Sequence, residues 1–240
     1  MSKTIVAVGC SHVFGSYLNS NDMFAKEECN QRSWVKKLGN KYFPTNNVVN
    51  LAAPGGSNAR SFRVIKEYIL DNLENASNLI VFFGITDLSR LELVTEHQIE
   101  GPAVDFFANK SYIVNIVGPW CRVPMKDVQT YLDVHYGVFY NDTYETEKIN
   151  LDLLTLHIFL KHYGIEHYFV NMLAPQGIVN KDYNLPLIDF GGIIQYAKKF
   201  GYKVGKDLHP EIDCNHLDHD GNEFLAEKIY EKMKGIKDGT

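Results

Sequence analysis

The sequence predicts an α/β fold, a three-layer αβα sandwich around a central parallel sheet of the flavodoxin-like kind. Three observations predict it. Short, β-branched apolar runs alternate along the chain with segments of helical period. The run LIVFFG at Leu79–Gly84 is apolar throughout, as a strand buried on both faces must be. The joints between most of these segments are short and rich in Gly, Pro, Asn and Asp, which suits crossovers that return the chain to the same sheet.

The elements follow in order. Thr4–Gly9 is an apolar, β-branched run ending in Gly, the pattern of a buried parallel strand. Trp34, Val35, Leu38 and Tyr42 have helical spacing. Val48–Ala52 is the second strand, stopped by Pro54-Gly55-Gly56. Ala59–Leu73 is a helix, with Phe62, Ile65, Ile69 and Leu73 on one face, and Leu79–Gly84 is the third strand. From about Glu100 to Tyr144 no clean period holds, and aromatics crowd among turn residues. A stretch of that length is too long for a plain loop, so it is read as an insertion or lid within one domain spanning residues 1–240. Helical spacing returns over Glu145–Tyr163, capped by Gly164, and is followed by a fourth strand at His167–Met172. The closing helix is Asp220–Lys234, with Phe224, Leu225, Ile229 and Met233 on one side.

Composition narrows the function. A net charge of −5, with acids interspersed among the lysines, argues against a nucleic-acid partner. No stretch approaches the roughly 20 apolar residues of a membrane span, and MSKTIVAVG has no apolar leader core. The expectation is therefore a cytoplasmic protein with no membrane partner. Cys10, Cys29, Cys121 and Cys214 have no C-x-x-C spacing and read as free thiols. Cys10 and Cys214 flank the candidate site residues and invite the question of whether they meet in the fold.

In open α/β sheets ligands bind outside the carboxyl ends of the strands. Ser11, Gly55 and Thr86 each follow one of the first three strands, so all three belong at that edge. Ser11 also fits an ordinary N-cap serine or a phosphate-cradling turn. The segment has neither G-x-x-x-x-G-K-[ST] nor G-x-G-x-x-G spacing, which disfavours a nucleotide. Near the other end, Asp213-Cys214-Asn215-His216 places a carboxylate one turn before an imidazole. An aspartate there can accept the Nδ1 proton and leave Nε2 to take a proton from a serine. His209 and His219 compete for that role. His216-x-x-His219 with Asp213 or Asp220 could supply zinc ligands, but no H-E-x-x-H pattern accompanies them, and neither metal nor cofactor is expected. Glycine at position 55 lets the backbone approach a substrate and expose an N–H, and Asn58 adds a side-chain amide within reach of the same oxyanion.

Taken together, these blocks resemble the SGNH hydrolase superfamily, also called GDSL lipases/esterases. Gly9-Cys10-Ser11 stands where the family has G-D-S. Gly55-Gly56-Ser57 is similar to its second block, Gly84-Ile85-Thr86-Asp87 to its G-x-N-D, and Asp213-Cys214-Asn215-His216 to its D-x-x-H. Leu217, Gly221 and Ala226 follow the histidine at the family's offsets, which favours His216 over His209. Thr86 departs from the family by replacing the Asn that donates to the oxyanion. The run Gly84, Thr86, Asp87, Arg90, Glu92 is similar to SGNH proteins encoded by tailed phages, where that change is a branch feature. The resemblance implies a serine ester hydrolase with catalytic Ser11, Asp213 and His216. Gly55, Asn58, Thr86 and Arg90 would form the oxyanion and substrate groups, and the substrate would be a small or carbohydrate ester, most simply an acetyl ester. Arg90 either binds a substrate carboxylate or sugar, or braces its loop against Asp87 or Glu92. The alternatives are a catalytically silent binding or assembly module and an acyltransferase using the same three residues.

Overall fold

The computed structural model describes residues 2–16, 26–95, 103–104, 113–119, 125–174, 177–204 and 216–238. Its centre is a parallel sheet of five strands in the order β2-β1-β3-β7-β8. These strands are β1 (Thr4–Val8), β2 (Asn47–Asn50), β3 (Leu79–Ile85), β7 (Glu166–Asn171) and β8 (Leu187–Ile188). Three further strands, β4 (Leu91–Thr95), β5 (Ala103–Val104) and β6 (Ile113–Val117), form a separate antiparallel sheet in the order β4-β6-β5. The α-helices among the described residues are α1 (Ser11–Phe14), α2 (Lys26–Arg32), α3 (Trp34–Tyr42), α4 (Asn58–Leu70), α5 (Lys126–Val134), α6 (Asp142–His162), α7 (Ile193–Lys199) and α8 (His219–Asp238).

Each central strand alternates its side chains between two cores, as the period of two demands. Ile5, Ala7, Ile80, Phe82, Tyr168 and Val170 pack with Trp34, Val35 and Leu38 of α3 and Leu225, Ile229 and Met233 of α8. Val6, Val8, Val81, Phe83 and Phe169 pack on the opposite face with Phe62, Ile65 and Ile69 of α4 and Ile149, Leu153, Leu156 and Leu160 of α6. That is the three-layer sandwich, and β3 is buried at every residue because helices cover both of its faces.

The four long central strands and four long helices lie within about three residues of the bounds read from the pattern, except that α8 runs on to Asp238. Other elements differ in kind. The segment after β3 becomes regular as the antiparallel sheet, beginning at Leu91, and then as α5 and a π turn over His135–Phe139. The fifth central strand, β8, has only two residues and follows Pro186, too short for any period to show. No described helix is long and apolar enough to cross a membrane. Cys10 and Cys29 are buried and form no disulfide among the described residues, whereas Cys121 and Cys214 lie outside the described residues.

The strand order determines where a site can form. The chain runs from β1 outward to β2, then returns past β1 to β3. Connections diverge between β1 and β3, and the carboxyl edge at such a divergence is where ligands bind in open α/β sheets. The residues just after those strands are Ser11 and Thr86.

Candidate active site

Ser11 opens a single-turn helix directly after β1 and is buried, with 8% of its surface exposed. Gly9 makes the turn possible. It has φ of 148°, and a Cβ there would lie 2.6 Å from Val13 Cγ2. A Cβ on Gly84 would lie 2.5 Å from the same methyl, so Val13 is wedged between the ends of β1 and β3. Asn50 at the end of β2 donates from Nδ2 to Val13 O at 2.9 Å and accepts from Ala52 N–H, which ties the first turn to the second loop. As the first helical residue, Ser11 has a backbone N–H with no intrahelical acceptor.

His216 reaches this serine from 205 residues away. Its Nε2 lies 2.6 Å from Ser11 Oγ. The next residue, Leu217, is buried in the α3/α8 core and bridges to Val204 in antiparallel fashion, which holds the histidine's backbone. Asp218 then caps α8 by accepting from Gly221 N–H at 2.7 Å. A Cβ at Gly221 would lie 3.0 Å from Asp218 Oδ1 and 3.1 Å from Leu217 Cβ, so glycine keeps this turn tight under the histidine. His219 turns to the surface, with its ring nitrogens against Lys37 Nζ at 2.9 and 3.3 Å. His209 and Asp213 lie outside the described residues.

The second and third loops close around the serine's turn. Gly55 adopts a positive φ of 73°, a conformation favouring glycine. A Cβ on Gly56 would stand 2.6 Å from Gly9 O and 3.0 Å from Ala53 O, so only glycine allows this close approach. Gly56 donates its own N–H to Ala53 O. Asn58 faces the third loop and grips one residue at both ends. Its Oδ1 accepts from Thr86 N–H at 2.9 Å, and its Nδ2 donates to Thr86 O at 3.2 Å. One Nδ2 proton remains beyond that pair. Thr86 is fully buried, and its Oγ1 has no hydrogen-bond partner among the described residues.

Arg90 donates from Nη1 to Gly56 O at 3.3 Å, so it braces the second loop from the third. The acids expected as possible partners are occupied elsewhere: Glu92 accepts from Arg63 at 2.7 Å, and Asp87 accepts from both N–H and Oγ of Ser89. Tyr136, at the π turn, donates its hydroxyl to Ser89 O at 2.7 Å and so leans the segment after α5 onto the third loop. A surface aromatic cluster surrounds it, made of Tyr131, His135, Tyr136 and Tyr140. Trp120 lies outside the described residues.

Sequence reasoning passed over His12. Its ring packs against that of His216 at a tilt of 31°, with centroids 4.6 Å apart. Burial, the neighbouring His216 and the Arg90 charge hold the His12 imidazole well below its ordinary value. His216 is pushed down to about 4, by burial first and by Arg90 second. Both rings are therefore neutral at neutral pH, and His216 Nε2 is available as a proton acceptor. The only sequence signal for His12 was its place beside Ser11; its contact with a ring from the other end of the chain required the fold.

The sequence matches no protein-family model and no curated protein. Solved structures do resemble the fold over almost its entire length. The esterase EstA from a Pseudoalteromonas species, solved with monoethylphosphonate as inhibitor, aligns with a TM-score of 0.52 at 12% identity, covering 98% of each chain. A protein assigned to the G-D-S-L lipolytic family from Desulfitobacterium hafniense aligns with a TM-score of 0.52 at 12% identity, covering 96% of this chain and 99% of its own. TesA aligns at 0.51 and 12%, over 98% and 99% of the two chains. At such identities the likeness is one of architecture: the chain shares the fold of GDSL-type lipases and esterases from end to end.

Proposed function

We propose that this protein is a serine ester hydrolase. The observation that carries the reading is the 2.6 Å contact between Ser11 Oγ and Nε2 of a neutral, partly buried His216, made at the carboxyl edge of a parallel sheet. In this mechanism Ser11 Oγ attacks the acyl carbon while His216 Nε2 takes its proton. The tetrahedral intermediate collapses, and His216 returns that proton to the leaving alcohol. Water then repeats the sequence on the acyl-serine and releases the acid. Asp213, three residues before the histidine, is assigned as the group that orients it; that role rests on the spacing in the sequence. The oxyanion is assigned to the N–H groups of Ser11 and Gly55. The remaining N–H of Asn58 and the unpartnered Thr86 hydroxyl supplement them in place of the family's third-block Asn. Arg90 and the aromatic segment after α5 border the substrate. The substrate assigned here is a small acyl ester of a carbohydrate, such as an acetyl ester, and the support is the tyrosine cluster held against the third loop. The third-block pattern further suggests the phage-encoded branch of the superfamily.

Thr86 in the position of the family's Asn is the observation that favours a silent binding module instead. Labelling separates the two readings. A fluorophosphonate probe should modify Ser11, and p-nitrophenyl acetate and acetylated sugars should be turned over. Ser11→Ala should lose both properties with an unchanged melting temperature. An unlabelled, inactive wild-type protein would overturn the hydrolase reading.

A further inference from the structure

The opposite edge of the sheet carries a second feature. A cavity of about 810 Å³ opens among the end of α6, the start of β7, the segment leading into β8 and the last turns of α8. That volume lies within the range of small-molecule sites. Ser11 and His216 sit at the carboxyl edge, so the cavity belongs to a different place in the fold. Ile165, Leu185, Pro186 and Ile236 give it an apolar wall. His157 and, one turn further along α6, Lys161 stand on the α6 side.

The histidines there form a chain whose protons can be assigned. His167 Nδ1 lies 2.8 Å from Ile165 O, and a carbonyl can only accept, so Nδ1 carries the proton. His167 Nε2 is then an acceptor, and His157 Nδ1, 2.8 Å away, donates to it. The nitrogen this chain leaves over is His157 Nε2, which bears no proton in the neutral ring. Burial first, and the Lys161 charge as a smaller contribution, disfavour a proton on either ring. The Lys161 charge also repels a metal cation, and no group of three His, Cys, Asp or Glu among the described residues is arranged to hold one. An anion reverses the charge contribution. It compensates Lys161 and favours a proton on His157 Nε2, which becomes a second donor while the bond to His167 persists. The cavity's carboxylate, Glu166, is already compensated by Lys3 at 2.7 Å and Lys237 at 2.6 Å, and it accepts from the Tyr168 hydroxyl at 3.1 Å. Tyr183 also lines the space.

We propose that this cavity binds a small amphiphilic anion, a carboxylate or phosphate-monoester head on an apolar body. Lys161 and a protonated His157 hold the head, and the Ile165–Leu185–Pro186–Ile236 wall takes the body. The inference does not depend on the hydrolase reading. Its test uses the full chain carrying Ser11→Ala, so that no probe is consumed. Calorimetric and NMR titrations with octanoate and with phenyl phosphate are run at pH 5.5 and 8. At least one probe should bind saturably and more tightly at pH 5.5, because the bound state holds one more proton. The His157 ring resonances should move to the doubly protonated pattern. Lys161→Gln, at an exposed position, and His157→Gln should each weaken binding about tenfold, and His157→Gln should also remove the pH dependence. The tighter probe identifies the head group. Failure of both probes to saturate at millimolar concentration would overturn the proposal. So would binding that neither substitution alters, or zinc ions shifting the His157 and His167 resonances where the anions do not.

Discussion

His216 is a base placed beside a cation, and that pairing is measurable. Burial and the Arg90 charge hold its imidazole at about 4. A base must be neutral to act, so kcat/KM should fall only as pH drops through that region and stay flat above it. Arg90→Gln removes a positive neighbour, which raises the proton affinity of His216 and moves the acid limb to higher pH. A limb that stays in place would mean that Arg90 does not act on the ring. Asn58 permits a second test at the same scale. Its amide satisfies both the N–H and the C=O of Thr86 inside the protein. Asn58→Ala should therefore cost about 1–3 kcal/mol of stability, since buried groups lose their partners. If its last N–H also serves the oxyanion, kcat should fall about a hundredfold with little change in KM, and Thr86→Val should do less. A destabilised variant with full kcat would leave Asn58 as a brace only.

Among elements, the loops after β1, β2 and β3 work as one stitched unit, and Gly56 is where they come closest. Gly56→Ala would press a methyl against two backbone carbonyls, Gly9 O and Ala53 O, neither of which can rotate away. The loops must separate, at about 1–3 kcal/mol, and the Gly55 N–H moves with them. Thermal melts and kcat should fall together; wild-type values of both would show that the approach is not needed. These elements also show what a sequence can carry. Leu79–Gly84 reads as a buried strand because it is apolar at every position, and Trp34–Tyr42 reads as a helix to the residue because its period is clean. β8 could not be read, because two residues have no period and its pairing with β7 is a tertiary fact. The run Ile113–Val117 is β-branched enough for a strand, but aromatics and turn residues on both sides hid it. In the site, Ser11 and His216 were legible because each belongs to a local motif. The contact of His12 with His216 and the bond from Arg90 to Gly56 were not, since both join loops that only the fold brings together.

Across the whole molecule, the described histidines with displaced titration all move the same way. His12 and His216 at the carboxyl edge, and His157 and His167 at the amino edge, are each held below the ordinary imidazole value of 6.5, with burial as the first cause. In the unfolded chain they regain that ordinary value. As pH falls below 6.5 the unfolded state therefore binds protons that the folded state refuses, and stability must decline. The stabilisation is complete above about pH 6.5 and is lost downward through the folded values, near 4 for His157 and His216. Each buried ring contributes a slope of about 1.4 kcal/mol per pH unit within that window; half-exposed His157 contributes less, because water screens it. Glu166 adds to the same trend at lower pH. Burial opposes its charge, but Lys237 and Lys3 prevail and hold its carboxyl below the usual range. Urea unfolding at pH 8, 6.5, 5.5 and 4.5 should thus give a plateau followed by a steep loss. His167→Phe, which removes one refused proton, should flatten the slope between pH 6.5 and 4.5 whatever it does to stability at pH 8. A slope that His167→Phe leaves unchanged would show that His167 accepts a proton in the folded protein. A stability that rises toward acid would show that the rings as a group do so, and the neutral-base account of His216 would then have to be abandoned.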